Sequence, residues 1–359
     1  MRVKYFIFSL ITTLLFFVLL ESSVRLFLFL KTRDVFFLLH GLSKKPEDPQ
    51  NRFDRVFDAQ GNCLYFRTKP SEDEQNPVNT FGFRGPEISE KRHTTKKIVC
   101  LGGSTTYGLG LSYSNTYPKL LQNYIDKNAG VGHYEIINAG IPAHRLPHII
   151  EQVKHVILRL EPDIIILMNV FNNLVTDSED FAFIEIDGEG KNLFIRTSRK
   201  LIKGMRKYSL FVSVLDDFAK KGYRDYLKSI DWRSGSTAIM NSQAVWQKYR
   251  SNLNTFFSLL MKHNPSISVI VLDEAMNYID YPELAPPMFK AYDVQKNVSM
   301  TYKNIRVCNI GKILENTYKK GEPVWIAPYF DPIHLSPRGN EVIAKILGDY
   351  LLSKNYSTQ

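Results

Sequence analysis

The sequence predicts an α/β domain built on a parallel sheet with helices on both faces. Short apolar runs bounded by turn residues recur from Lys97 onward. Stretches with helical spacing of apolar residues separate them. Strands of this kind, alternating with amphipathic helices, form parallel sheets covered on both sides.

The elements follow in order. Ile98–Leu101 is the first apolar run, and Tyr117, Leu120, Leu121 and Tyr124 then mark a helix face. A strand is expected at Glu135–Asn138, a helix through Ile149, Val153, Val156, Ile157 and Leu160, and a strand at Ile164–Met168. An interruption rich in aromatic and basic residues, about 174–265, reads as a mostly helical insertion over one end of the sheet. The pattern resumes with strands at Ile267–Leu272 and Ile305–Cys308. A last helix carries Val342, Ile343, Ile346, Leu347 and Leu351, with Ser336 as its N-cap and Pro337 at its first position.

Two segments precede this domain of residues 97–359. Residues 31–96 are polar and turn-rich, and read as a linker that lies against the main body. Residues 1–30 read as an uncleaved transmembrane anchor. Tyr5–Leu20 is apolar apart from Ser9, Thr12 and Thr13, and Leu26–Leu30 continues it. The first stretch alone spans about 24 Å as a helix, short of a bilayer core of roughly 30 Å. Extension to Leu30 closes the gap if Glu21 and Arg25 pair at i, i+4 or sit at the interface. The context Leu-Leu-Glu-Ser-Ser-Val-Arg is a poor signal-peptidase site. An anchor of this kind implies a membrane protein, its main domain extracytoplasmic.

With 44% hydrophobic and 23% charged residues, the chain of 359 is ordinary globular material. Its net charge of +10 favours anionic surroundings. Segment 191–233 holds 12 Lys and Arg against 4 Asp, and reads as a solvated helical face. No zinc-finger spacing or nucleic-acid-binding motif is present, so nucleic acid is not an expected partner. Cys63, Cys100 and Cys308 make no disulfide framework.

In open α/β sheets, ligands bind beyond the carboxyl ends of the strands. After the first strand stands Gly102-Gly103-Ser104-Thr105, after the second Asn138-Ala139-Gly140, and after the third Val170-Phe171-Asn172-Asn173. Before the last helix stands Asp331-Pro332-Ile333-His334. Two glycines permit a sharp turn presenting Ser104 at a helix N-terminus, where N–H groups favour an oxyanion. A serine hydroxyl needs a base, which His334 can supply. Asp331, three residues earlier, can fix its tautomer and stabilise the imidazolium. The N–H of Gly140 and the amide of Asn172 can complete an oxyanion hole, with Asn173 as the alternative donor.

These four segments resemble the conserved blocks of the SGNH (GDSL-like) esterases and acyl hydrolases, over about residues 97–351. Asn79–Gly85 also resembles sequences preceding the first block in membrane-anchored members. The resemblance implies a flavodoxin-like fold and hydrolysis or transfer of acyl groups without a metal or other cofactor. The chain departs from the family twice. It has Gly102-Gly103-Ser104 for Gly-Asp-Ser, and Val170-Phe171-Asn172-Asn173 for Gly-x-Asn-Asp.

The expected activity is a serine esterase acting on a lipid or envelope-glycan ester. The rivals are an O-acyltransferase using the same triad and an inactive binding module. His144, His148 and His155 recur at i, i+4 and i+11 along an expected helix, and a His pair at i, i+4 can bind zinc, but no third ligand lies in sequence reach, so no metal is expected. Asp177, Glu179 and Asp180 read as a solvated turn. Trp232 and Trp246 fit either the core of the insertion or the lining of an acyl or glycan pocket.

Overall fold

The computed structural model describes residues 12, 13, 15–26, 53–61, 63–90, 94–174, 242–274, 276–325 and 333–353. The chain divides into two compact units, residues 1–51 with 179–233, and residues 52–178 with 234–359.

Of the first unit, residues 12, 13 and 15–26 are described, and they are helical. Glu21 and Arg25 pair at 2.7 Å across one turn, as the spacing predicts. Leu15, Phe16, Phe17, Val18 and Leu19 are each more than half exposed. Five consecutive positions cover every side of a helix, so residues 15–19 are apolar all round, while Glu21, Ser22, Ser23 and Arg25 follow. Among the described residues no helix is long and apolar enough to cross a membrane. Residues 1–11, 14 and 27–30 of the expected anchor lie outside the described residues, as do segment 191–233, Trp232 and the acidic turn at 177–180.

The second unit holds a five-stranded parallel sheet. Its strands are β3 (Lys96–Gly102), β4 (Tyr134–Asn138), β5 (Ile164–Met168), β6 (Ser268–Leu272) and β7 (Ile305–Cys308). They lie in the order β4-β3-β5-β6-β7, the 2-1-3-4-5 arrangement of flavodoxin-like folds. Each expected strand is present to within two residues at either end. Side chains alternate between two cores. Val99, Leu101, Ile165, Leu167, Val269 and Val271 face one, and Ile98, Cys100, Ile164, Ile166, Ile270 and Leu272 face the other. A two-residue period with both faces buried explains why these strands read as continuous apolar runs.

The first face is covered by α3 (Leu146–His155), α5 (Gln243–His263) and α6 (Ala285–Ser299). The second is covered by α2 (Tyr117–Ala129), α7 (Ile310–Lys319) and α8 (Pro337–Leu352). Sequence periodicity anticipates α2, α3 and α8. In α8, Ser336 accepts from the Gly339 N–H at 3.2 Å and Pro337 is the first residue. Helices α6 and α7 were not anticipated. Nor is α5 a cover over the sheet end. Its stripe of Val245, Trp246, Tyr249, Leu253, Phe256, Phe257 and Leu260 is buried in the first core, which makes it the β5-to-β6 crossover. Trp246 is thus core, and only residues 175–241 of the expected insertion lie outside the described residues.

The expected linker is structured where it is described. β1 (Phe53–Phe57) and β2 (Cys63–Thr68) form an antiparallel hairpin, with β2 against α3. Arg84 then pairs as an antiparallel bridge with Asn138 at the end of β4.

Candidate active site

Strand order reverses at β3, whose two neighbours continue the chain in opposite directions across the sheet. The crevice beyond its carboxyl end is where such folds bind ligands. Ser104 opens there as the first residue of α1 (Ser104–Tyr107). A helix of four residues has little macrodipole, so the turn contributes chiefly its first N–H groups.

The Oγ of Ser104 lies 2.8 Å from the Nε2 of His334. His334 reaches it from a short segment fixed on both sides. Leu335 bridges to Trp325, and the Ser336 N–H donates to the Val324 carbonyl at 3.0 Å. Buried Ile333 anchors the other side. Asp331 lies outside the described residues.

The third expected block forms α4 (Phe171–Leu174). Its two asparagines have different surroundings. Asn172 Nδ2 donates to the His144 carbonyl at 3.0 Å and lies against Gly103, where an added Cβ would approach it to 2.6 Å. Position 103 therefore has to be glycine for the amide to sit beside the Ser104 turn. Asn173 is turned away. Its Oδ1 accepts from the Leu146 N–H at 2.9 Å, and its Nδ2 donates to Asn169. The two asparagines left open by the sequence are thus distinguished by position: Asn172 stands at the Ser104 turn, and Asn173 holds the start of α3.

Gly140 also packs against this turn, since a Cβ there would come 2.5 Å from the Tyr107 nitrogen. Its N–H points at the Asn138 Oδ1 at 3.2 Å, the long end of the hydrogen-bond range. Ala143, at φ 63°, bends the following loop so that the His144 carbonyl receives the amides of both Asn169 and Asn172.

Three residues near the site were not singled out from sequence. Arg84 is buried beneath the turn after Ser104. Its guanidinium donates to the Tyr107 and Gly108 carbonyls at 2.8 and 2.7 Å, and also to Leu111 and Asn76. Glu274 follows β6 and is buried. It accepts the Val170 N–H at 2.8 Å, the Phe171 N–H, and the Thr105 hydroxyl at 3.1 Å. Burial raises its carboxyl above the usual range, while the Phe171 and Val170 N–H groups, Thr105 and the His334 imidazole pull it back. Its neighbour Asp273 accepts from the Ile310 and Gly311 N–H groups and is pushed up to about 7, chiefly by burial. The available signal was two acids directly after an apolar strand, at the sheet end where ligands bind.

The histidine series divides. His144 precedes α3 and its Nε2 is 2.8 Å from the Phe66 carbonyl. His148 Nδ1 accepts from the Arg145 N–H at 3.1 Å. His155 lies 3.5 Å from Glu151. Burial holds His144 well below the imidazole range, and burial with the Arg145 charge lowers His148 to about 4.

No family model matches the chain, and no curated protein does. Among solved structures it is similar to the lipase/acylhydrolase from Enterococcus faecalis, at 16% identity over 71% of this chain and 95% of that one, with a TM-score of 0.44. It is similar to the acetyl xylan esterase AlAXEase at 16% identity, over 71% and 100% of the two chains, with a TM-score of 0.45. A lipolytic G-D-S-L family protein from Veillonella parvula DSM 2008 matches at 14% identity over 72% and 97%, with a TM-score of 0.43. With likenesses this distant, the chemistry rests on the site's own geometry.

Proposed function

We propose that this chain is a serine esterase of the SGNH type, cleaving an ester of a lipid or envelope glycan. The observation that carries the reading is the 2.8 Å approach of His334 Nε2 to Ser104 Oγ. That is hydrogen-bond distance between a nucleophile and a base capable of activating it.

Ser104 Oγ attacks the ester carbonyl carbon while its proton passes to His334 Nε2. The carbonyl oxygen becomes an oxyanion that takes hydrogen bonds from the Ser104 N–H and the Asn172 amide. Gly140 joins them by sharing its long contact to Asn138. The tetrahedral intermediate collapses, the C–O bond to the alcohol breaks, and the alcohol leaves with the proton from His334. Water, deprotonated by the same imidazole, then releases the acid and restores Ser104. Asp331, three residues before His334 in sequence, fits the role of carboxylate partner to the imidazole.

An apolar N-terminal helix fits a tether that keeps the domain beside envelope substrates. The Glu21–Arg25 pair lowers the cost of carrying those charges at a membrane surface. The test is covalent labelling by a fluorophosphonate, with release of alcohol and acid from an aryl acetate. Wild type should label at Ser104 and turn over, whereas Ser104→Ala should do neither. Full labelling of Ser104→Ala would remove the reading. Transfer of acetate to a glycan in place of its release would assign the same acyl-enzyme to a transferase.

A further inference from the structure

The nucleophile and the amide donor come from different strands, β3 and β5, and neither turn is held by ladder hydrogen bonds beyond the sheet end. The two turns meet where Asn172 lies against Gly103, and a group bonded to both can hold that spacing. Glu274, from the next strand, is bonded to both. One carboxylate oxygen accepts from Thr105, the residue after Ser104, at 3.1 Å. The other accepts the N–H groups of Val170 and Phe171, the residues leading into Asn172.

We propose that Glu274 is a positioning residue of this site, whose carboxylate ties the Ser104 turn to the Asn172 loop and so fixes the nucleophile–oxyanion spacing. The proposal rests on the serine-esterase reading above. The chemistry suits the task. A buried carboxylate with three donors is held at both oxygens, and a carboxyl group is planar, so its two ends move together. Catalysis is sensitive to such spacing, since a displacement of about 1 Å at a reacting group can cost about 100-fold.

Glu274→Gln separates the geometry from the charge. Its amide oxygen can accept both backbone N–H groups, and its NH2 can face Thr105, whose hydroxyl turns to accept. Every bond is kept and only the charge is lost. Glu274→Ala removes the tie and leaves two buried N–H groups unpaired. With an aryl acetate, Glu274→Ala should lose about 100-fold in kcat with little change in KM, since only the oxyanion gains from the spacing. Glu274→Gln should stay within about 5-fold of wild type. Thr105→Val, which cuts one end of the tie with no change of volume, should fall about 10-fold and covers the case in which the alanine variant does not fold.

Amide hydrogen exchange over residues 168–174 reads the tie without reference to activity. Exchange should accelerate in Glu274→Ala and remain slow in Glu274→Gln. Wild-type kcat in folded Glu274→Ala, or in Thr105→Val, would overturn the proposal. So would Glu274→Gln as impaired as Glu274→Ala, or unchanged exchange in Glu274→Ala. Failure of the esterase reading is a separate result: wild type itself would then neither label nor turn over.

Discussion

Ser104 and His334 stand 230 positions apart in the chain, and their side chains meet at 2.8 Å. Ser104 is placed by the end of β3. His334 is placed by the bridge to Trp325 and the cap of α8. A base and nucleophile on separate supports fail together only if they act as one unit. His334→Ala should therefore reduce kcat for an aryl ester to the level of Ser104→Ala, and the double variant should be no worse. Additive losses in the double variant would mean that the two residues act independently.

The asparagine pair makes a divided prediction. Asn172→Ala should lower kcat about 100- to 1000-fold with KM nearly unchanged, the usual effect of losing one oxyanion donor. Asn173→Ala removes the acceptor for the Leu146 N–H and should instead cost roughly 1–3 kcal/mol of stability. Urea unfolding and steady-state kinetics on both variants check this. If the two phenotypes are exchanged, the block is displaced by one residue.

Arg84 reaches three carbonyls of the turn and loop after Ser104, at Tyr107, Gly108 and Leu111, and its carbon lies 4.8 Å from the Tyr107 ring centre. A lysine ammonium is a single point and cannot fork across them. Arg84→Lys should lose roughly 2–4 kcal/mol, because carbonyls are left unpaired in a buried place. Its urea midpoint measures this. A loss under about 0.5 kcal/mol would place Arg84 among ordinary surface positions.

Stability against pH carries two opposed contributions. His144 and His148 are held neutral by burial, so the native chain binds fewer protons than the unfolded one below about pH 6.5. Their contribution is present above that pH and is lost as pH falls, through about 4 for His148. Asp273 has the opposite sign. Its native carboxyl is raised to about 7, so its contribution is present below about pH 4 and is lost as pH rises through 7. Asp273→Asn removes only the second effect. Its stability should fall more steeply than that of wild type between pH 7 and 4.5. Parallel curves from urea unfolding at pH 7, 5.5 and 4.5 would contradict the assignment.

The N-terminal reading is tested by fractionation. Full-length protein should sediment with membranes and resist carbonate extraction, and a chain beginning at Pro46 should stay in solution with its esterase activity intact. A mature N-terminus near residue 24 would identify a cleaved signal peptide instead.

What the residues determined by themselves was local. Apolar runs such as Ile164–Met168 are legible because a strand buried on both faces tolerates little else. Ser336-Pro337 declares a helix start through its own cap chemistry. Ser104 and His334 stood out in the sequence as residue types suited to acyl chemistry near element ends, and the fold brings their side chains to 2.8 Å; Gly140 and Asn172 pack beside the Ser104 turn. Tertiary structure decided what depends on contacts between distant segments. The polar stretch before residue 96 carries no long apolar period. Its hairpin exists because β2 packs on α3, and its Arg84 matters because three carbonyls converge on it. Asn172 and Asn173 are identical in type, and only tertiary contacts separate them: Asn172 lies against Gly103, and Asn173 braces the Leu146 N–H. Glu274 was the hardest to foresee, since a carboxylate after a strand gains its role from two turns lying 169 and 103 residues away. Burial and convergence arise from the whole fold, and no window of sequence contains them.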